Sequence, residues 1–480
     1  MISLIVSVIL LVAGYLVWGR VAERVFGPDD RPTPAIAHND GVDCVPVKTW
    51  KAFLIQLLNI AGTGPIYGAL MGAVFGPVVF LWIVFGAILG GAVHDFLCGM
   101  ISCRHDGKSI AELSGIYLGS GAKWIMRVFT VILLVLCGTV FITSPAVLLE
   151  QLTPAVLTRG FWLVVIILYF LLATVLPIDK VIARIYPVFG VVLVTMAVAI
   201  VVGLGVKGYA IPEVTLQNLH PEGLSTWPYM FVTVACGAIS GFHATQSPMM
   251  AKCITSERVG RKVFYGAMLA ESVIALVWAA AGVAFYGSTG GLSAALTADG
   301  QSGVVYNVSR TLLGDLGALL AVVGVVICPI SSGDTAFRAA RLTLAEWTGL
   351  EQKKIRNRLL LALPLFVVAS VLTQIDFDVL WRYFSWSNQT LAAVALWVGA
   401  RFLEQNGKGR LAPYLAALPG AFMTAVSVTY ILMAEEGFRL SALIAYPAGI
   451  AFAAAMLITY TIHFVKIRRE RPEGSSACKM

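Results

Sequence analysis

Charge is what this chain has least of. Only 12% of its 480 residues are Asp, Glu, Lys or Arg, while 58% are hydrophobic. An ordinary soluble domain carries about 25% charge, so a chain of this composition folded in water would leave its apolar surface uncovered, and a soluble enzyme is excluded. Catalytic signatures are missing as well. There is no G-x-S-x-G, no P-loop and no H-E-x-x-H, which removes an ATP-driven pump with its motor in this chain. The six histidines show no H-x-x-x-H spacing and the eight cysteines no C-x-x-C pair, so neither a zinc pattern nor a disulfide framework is implied. The cysteines read as small buried apolar residues, and no cofactor is expected. Low complexity is confined to a short polar tail after Arg468, expected to be disordered.

What the chain does have is a succession of apolar runs. They begin near Ile2, Phe53, Pro77, Ile125, Trp162, Tyr186, Trp227, Phe264, Gly314, Leu359, Leu380, Leu411 and Leu440, and about 20 residues suffice to cross a bilayer. The expectation is an all-α polytopic membrane protein with about thirteen transmembrane helices, separated by Gly, Pro and charge clusters. The first run lacks a basic n-region and an A-x-A-like cleavage site and is followed at once by Arg20 and Arg24, so it reads as a helix and not as a signal peptide. Alternating loops then place 29 of the 34 Lys/Arg on one side. Only Arg159, Lys207, Arg310, Arg382 and Arg439 fall on the other. The positive excess marks the cytoplasm, which puts the N-terminus outside and the C-terminus inside, in the inner (plasma) membrane. The net charge of +8 is thus a topology code, and its dispersal over short loops needs no nucleic-acid partner.

Two predicted spans are interrupted. Span 2 carries Ala61-Gly62-Thr63-Gly64-Pro65, and span 7 carries Cys236-Gly237-Ala238-Ile239-Ser240-Gly241-Phe242-His243-Ala244-Thr245-Gln246-Ser247-Pro248. Proline removes a backbone donor and glycine lowers the cost of unwinding. Five spans separate the two starts, so the broken helices cross the membrane in opposite senses, the pattern of an inverted repeat with its binding site between the breaks. Spans 2–6 (residues 53–206) and 7–11 (227–403) would form a LeuT-like 5+5 repeat. An N-terminal helix and loop (1–52) precede it, and two C-terminal helices (411–465) and a tail (466–480) follow. The alternative for each break is a kink that merely permits close packing. Gly62, Thr63, Gly64 and Pro65, with Ser240, Gly241, Phe242, His243, Thr245 and Gln246, are the candidate substrate-binding residues. Helix N-termini at a break favour a carboxylate, while freed carbonyls favour a cation.

Ionisable groups inside a bilayer are costly and point to function. Here they are His94 and Asp95 near the cytoplasmic end of span 3, His243 in the span 7 break, Glu271 in the cytoplasmic third of span 8, and Asp334 at the cytoplasmic end of span 9. Each is a candidate for coupling to H+. Asp95 and Asp334 also lie near enough to helix ends to be ion-pair partners of Arg104, Arg338 or Arg341. Ser331 and Ser332, after Pro329, are a candidate Na+ site facing the loosened carbonyls of span 2, or simply cap the carbonyl that Pro329 frees.

Several of these segments resemble the carbon starvation protein A (CstA) family. They are His38-Asn39-Asp40-Gly41-Val42-Asp43-Cys44-Val45-Pro46, Ile60-Ala61-Gly62-Thr63-Gly64-Pro65, Gly91-Ala92-Val93-His94-Asp95-Phe96, Ser102-Cys103-Arg104-His105-Asp106-Gly107-Lys108-Ser109, the span 7 break, and Ser331-Ser332-Gly333-Asp334-Thr335-Ala336-Phe337-Arg338. The chain departs from longer members at Thr63, where Ala is usual, at His94, where Gln is common, and after Gln246. The resemblance implies a LeuT-like transporter of the amino acid/polyamine/organocation superfamily, associated with peptide uptake during carbon starvation. Close relatives linked to pyruvate uptake leave a small-carboxylate symporter open. A transport-inactive sensor or scaffold is a further alternative, although no loop exceeds about thirty residues. A passive channel would want a continuous polar stripe.

Overall fold

The computed structural model describes residues 1–41, 44–175 and 178–470. Val42 and Asp43 of the first motif, Cys478 and the polar tail beyond 470 lie outside them. The described chain is all helical. In order, α1 is Ile2–Phe26, α2 Thr49–Ala61, α3 Gly64–Ala73, α4 Val79–Cys103, α5 Ser120–Leu152, α6 Arg159–Val175 and α7 Ile178–Val206. Then come α8 (residues 226–233), α9 Gly241–Ala251, α10 Glu257–Tyr286, α11 Thr289–Thr348, α12 Ile355–Leu372, α13 Phe377–Asn406, α14 Tyr414–Met433 and α15 Ala442–Ile467.

Nine of these are long and apolar enough to cross a membrane among the described residues, or ten with α2 and α3 taken as one bent span. That identifies a multi-pass membrane protein. α6 is short, α8 and α9 are interrupted, and α13 carries Ser385, Ser387, Asn388 and Gln389 buried on one stretch. α11 leaves helical geometry at Gly300 and Gly314 and is three consecutive pieces.

The helices that carry the candidate residues are the central ones. In their most apolar stretch α4 and α10 are 83% buried, against 28% for α1 and 17% for α15. In lipid every backbone polar group needs an internal partner, so helices that are apolar all round take the periphery and those with polar faces take the middle. The bounds of two helices differ from the apolar runs, because helix geometry includes basic and acidic residues that hydropathy omits. α10 begins at Glu257, so Glu271 sits at its middle and not in its cytoplasmic third. α11 runs on to Thr348, so Asp334 lies well inside a helix and not at its end.

Candidate functional site

The first break is made by backbone. α2 stops at Ala61, Gly62 adopts φ +49° and ψ −137°, and α3 leaves at 48° to α2. A left-handed φ of this kind is open to glycine at little cost. The turn frees carbonyls of the last turn of α2, and α11 answers them. Ser332 Oγ donates to Leu58 O at 3.0 Å, and Cys328 Sγ lies 3.3 Å from Gly62 O. Ser331 Oγ donates to Cys328 O within its own helix. Phe141 of α5 covers Gly62 so closely that a methyl there would lie 2.5 Å from its ring. Thr63 is buried and its hydroxyl has no protein partner among the described residues.

The second break, from Val234 to Ser240, is held by a side chain. Asn388 of α13 presents Oδ1 to the amide of Phe242 at 2.5 Å and to the Ser240 hydroxyl at 3.1 Å. This gives the N-terminus of α9 the partner that a helix start needs. Gly237 bends the segment at φ +94°. The two breaks touch: a methyl on Gly64 would lie 2.2 Å from Cys236 Cβ, and one on Gly237 3.9 Å from Pro65 Cα. Phe242 meets Phe141 edge-on, with centroids 5.8 Å apart. Thr245 and Gln246 turn toward their own helix, Gln246 Nε2 donating to Thr245 Oγ1, and the Gln246 side-chain carbonyl oxygen has no partner among the described residues.

Beside this crossing lies a chain of ionisable groups from three helices. His94 Nδ1 is 2.8 Å from Asp95 Oδ1, Asp95 Oδ2 is 2.9 Å from His243 Nδ1, and His243 Nε2 is 3.4 Å from Glu271 Oε2. All four side chains are fully buried. Asp95 accepts from both imidazoles, which leaves His243 Nε2 to act as acceptor or, when protonated, as a second donor. The link to Glu271 is longer than the 2.7–2.9 Å typical of a charged hydrogen bond. Among the described residues neither oxygen of Glu271 nor His243 Nε2 has a hydrogen-bond partner. A proton added between these two groups would have an acceptor on one side and a donor on the other.

Placement overturns one expectation. Asp95 does not pair with Arg104, which instead gives two 2.9 Å hydrogen bonds to Glu257. Arg104 follows the end of α4 and Glu257 opens α10, so the carboxyl nearer the helix ends takes the arginine. Asp334 pairs with Arg338 at 3.7 Å and accepts from Tyr186 at 3.2 Å, in a cluster apart from the histidines. Sequence reading also missed residues. Cys236 and Cys328 were taken as packing, yet both sit at a break. Cys236, His243 and Glu271 present ligand atoms within 4.8 Å of one another and have the donor types that could hold a metal ion, a grouping that sequence spacing does not reveal. Asn388 was passed over, although the polar run Ser385-Trp386-Ser387-Asn388-Gln389-Thr390 inside an apolar span was a legible signal.

The family model for carbon starvation protein CstA matches residues 1–159 and 150–309. The chain belongs to this family. A membrane protein of Haemophilus influenzae is 41% identical over 344 residues, covering 61% of this chain and 93% of that one. A CstA-family protein named as a peptide transporter in Campylobacter jejuni is 29% identical, covering 57% of this chain and 48% of the relative. The pyruvate/proton symporter BtsT of Escherichia coli is 27% identical, covering 58% and 48%. The chain therefore spans about half the length of these two CstA-family relatives. Its fold is that of LeuT-fold transporters. A manganese transporter of Eremococcus coleocola superposes with a TM-score of 0.55 at 12% identity, over 89% of this chain and 99% of that one. The nucleobase-cation-symport-1 transporter Mhp1 superposes with 0.54 at 14% identity, over 90% and 95%.

Proposed function

We propose that this CstA-family protein is an ion-coupled secondary transporter that imports peptides across the inner membrane, with substrate bound where the two broken helices meet. The observation that carries the reading is the contact between the breaks, Gly64 against Cys236, beside the buried Asp95–His243–Glu271 chain. The N-terminus of α9 suits a carboxylate once the Asn388 oxygen that caps the Phe242 amide gives way to it. Thirteen spans remain the proposed count: the ten above, with α6, the α8–α9 pair and α13 as the other three. The 5+5 repeat over residues 53–206 and 227–403, and an outside N-terminus, follow from that count and from the Lys/Arg distribution.

The coupling ion in this reading is H+, carried between His243 and Glu271 and supported by the symporter named among the relatives. Na+ at Ser331 and Ser332 is the competing assignment, and the Ser332 contact with Leu58 O supplies the geometry for it. A second substrate reading, pyruvate or a similar small carboxylate, is favoured by how tightly Phe141 and Cys236 fill the space over Gly62 and Gly64. A peptide requires those groups to move.

The test is uptake of labelled dipeptide and of pyruvate into proteoliposomes, with a pH gradient or a sodium gradient imposed. The expected result is dipeptide accumulation driven by the pH gradient, lost in Glu271→Gln and unaffected by a chelator. Accumulation of pyruvate alone moves the assignment to the second reading. Absence of gradient-driven uptake of either overturns transport and leaves a sensor or scaffold.

A further inference from the structure

A large groove lies away from the breaks, between α1, the start of α2 and α10. It has a volume of about 1210 Å³, above the range of roughly 300–1,000 Å³ usual for small-molecule sites. Its walls are apolar, with Leu11, Val12, Phe53, Leu54 and Val273 among them, and no carboxylate of the described residues lines it. Its mouth is different: Lys48, Thr49, Trp50 and Lys262 are gathered there. Arg261 is occupied by Glu23 at 2.8 Å, whereas Lys48 and Lys262 have no carboxylate partner among the described residues. Trp50 is 57% exposed at the same level, the position that amphipathic aromatic rings take at a membrane interface.

The dimensions agree with a lipid. From Lys262 at the mouth to Val273 at the far end the groove follows eleven residues of α10, which at 1.5 Å per residue is about 16 Å. One leaflet of the hydrocarbon core is about 15 Å deep. We infer that this groove is a binding site for one anionic phospholipid, its acyl chains along α1 and α10 and its phosphate at Lys48 and Lys262. The first amides of α2 face the same mouth, and Lys48 at the N-cap makes no capping hydrogen bond, so the helix start adds to the attraction for phosphate.

A second groove supplies the contrast. It holds about 670 Å³ between α4, α8 and α14, is lined by residues such as Trp82, Phe85 and Phe422, and carries no charged side chain. It has no charge with which to select a headgroup. Charge at the mouth, and not apolar volume, is what makes the first groove selective. Because α2 is both a wall of this groove and one arm of the first break, the lipid holds that half-helix against α1 and α10. The assignment does not depend on what is transported.

The experiment is native mass spectrometry of the full chain in detergent, titrated with phosphatidylglycerol and with phosphatidylcholine. The expected result is one phosphatidylglycerol bound roughly tenfold or more tightly than phosphatidylcholine, from about 1 kcal/mol for each lysine near a lipid headgroup. Lys48→Gln with Lys262→Gln removes the preference and leaves weak binding of both lipids. Val273→Trp, which fills the groove from within, removes the tight phosphatidylglycerol with both lysines present. Equal affinity for the two lipids overturns the inference. So does a preference that survives the double lysine change, or a chain that dimerises until Val273→Trp makes it monomeric.

Discussion

At the first break two residues, Gly62 and Thr63, separate the helices and the axis turns by 48°. At the second, the chain leaves helical form from Val234 to Ser240 and Asn388 reaches in to hold it. The first has no ionisable side chain of its own and depends on one glycine torsion and on serine and cysteine contacts from α11. The second brings His243 against Asp95 and Glu271. Two interruptions at matching positions are therefore not two copies of one device. In the proposed transporter the first shapes the site, and the second supplies the groups that would exchange a proton.

The largest expected effect that probes this division is Gly241→Ala. Its methyl would lie 2.2 Å from Asn388 O and 2.6 Å from Ala392 N, both backbone atoms that cannot rotate away. Overpacking of this kind costs about 3 kcal/mol or more, so little folded protein is expected on size exclusion. A well-folded variant would show that α13 does not clamp the second break. Next is His243→Gln, expected to cut gradient-driven uptake at least tenfold with the melting temperature nearly kept, while Thr63→Ala leaves uptake within twofold. Equal losses from the two would erase the division between shape and chemistry. Asn388→Ala strands the Phe242 amide and the Ser240 hydroxyl, at a cost of about 1–3 kcal/mol in thermal unfolding. Smallest is Ser332→Ala, which removes one hydrogen bond to Leu58 O and costs about 1 kcal/mol. If uptake also loses a response to sodium in that variant, the first break carries an ion after all.

Much of this was open to inspection in the linear chain. The Gly-Thr-Gly-Pro run announced the first break because proline and glycine act on their own backbone, and the succession of apolar runs announced a multi-pass membrane protein. Glu271 was recognised as costly in lipid, but its place along the helix was not. Hydropathy began the helix at Phe264, whereas the hydrogen bonding begins at Glu257. Arg104 was one ion-pair partner open to Asp95 on proximity in sequence. The fold gives that arginine to Glu257, 153 positions away.

The sequence by itself determined that the protein lives in a bilayer, which segments break and which residues inside the bilayer carry charge. These are properties of composition and of local backbone chemistry. Which charges meet was decided only by tertiary structure. Asp95 and His243 are 148 positions apart, and Asn388 stands 146 positions from the amide it holds. The face that one helix turns to another is set by packing across the whole bundle, and spacing along a single chain carries no record of it.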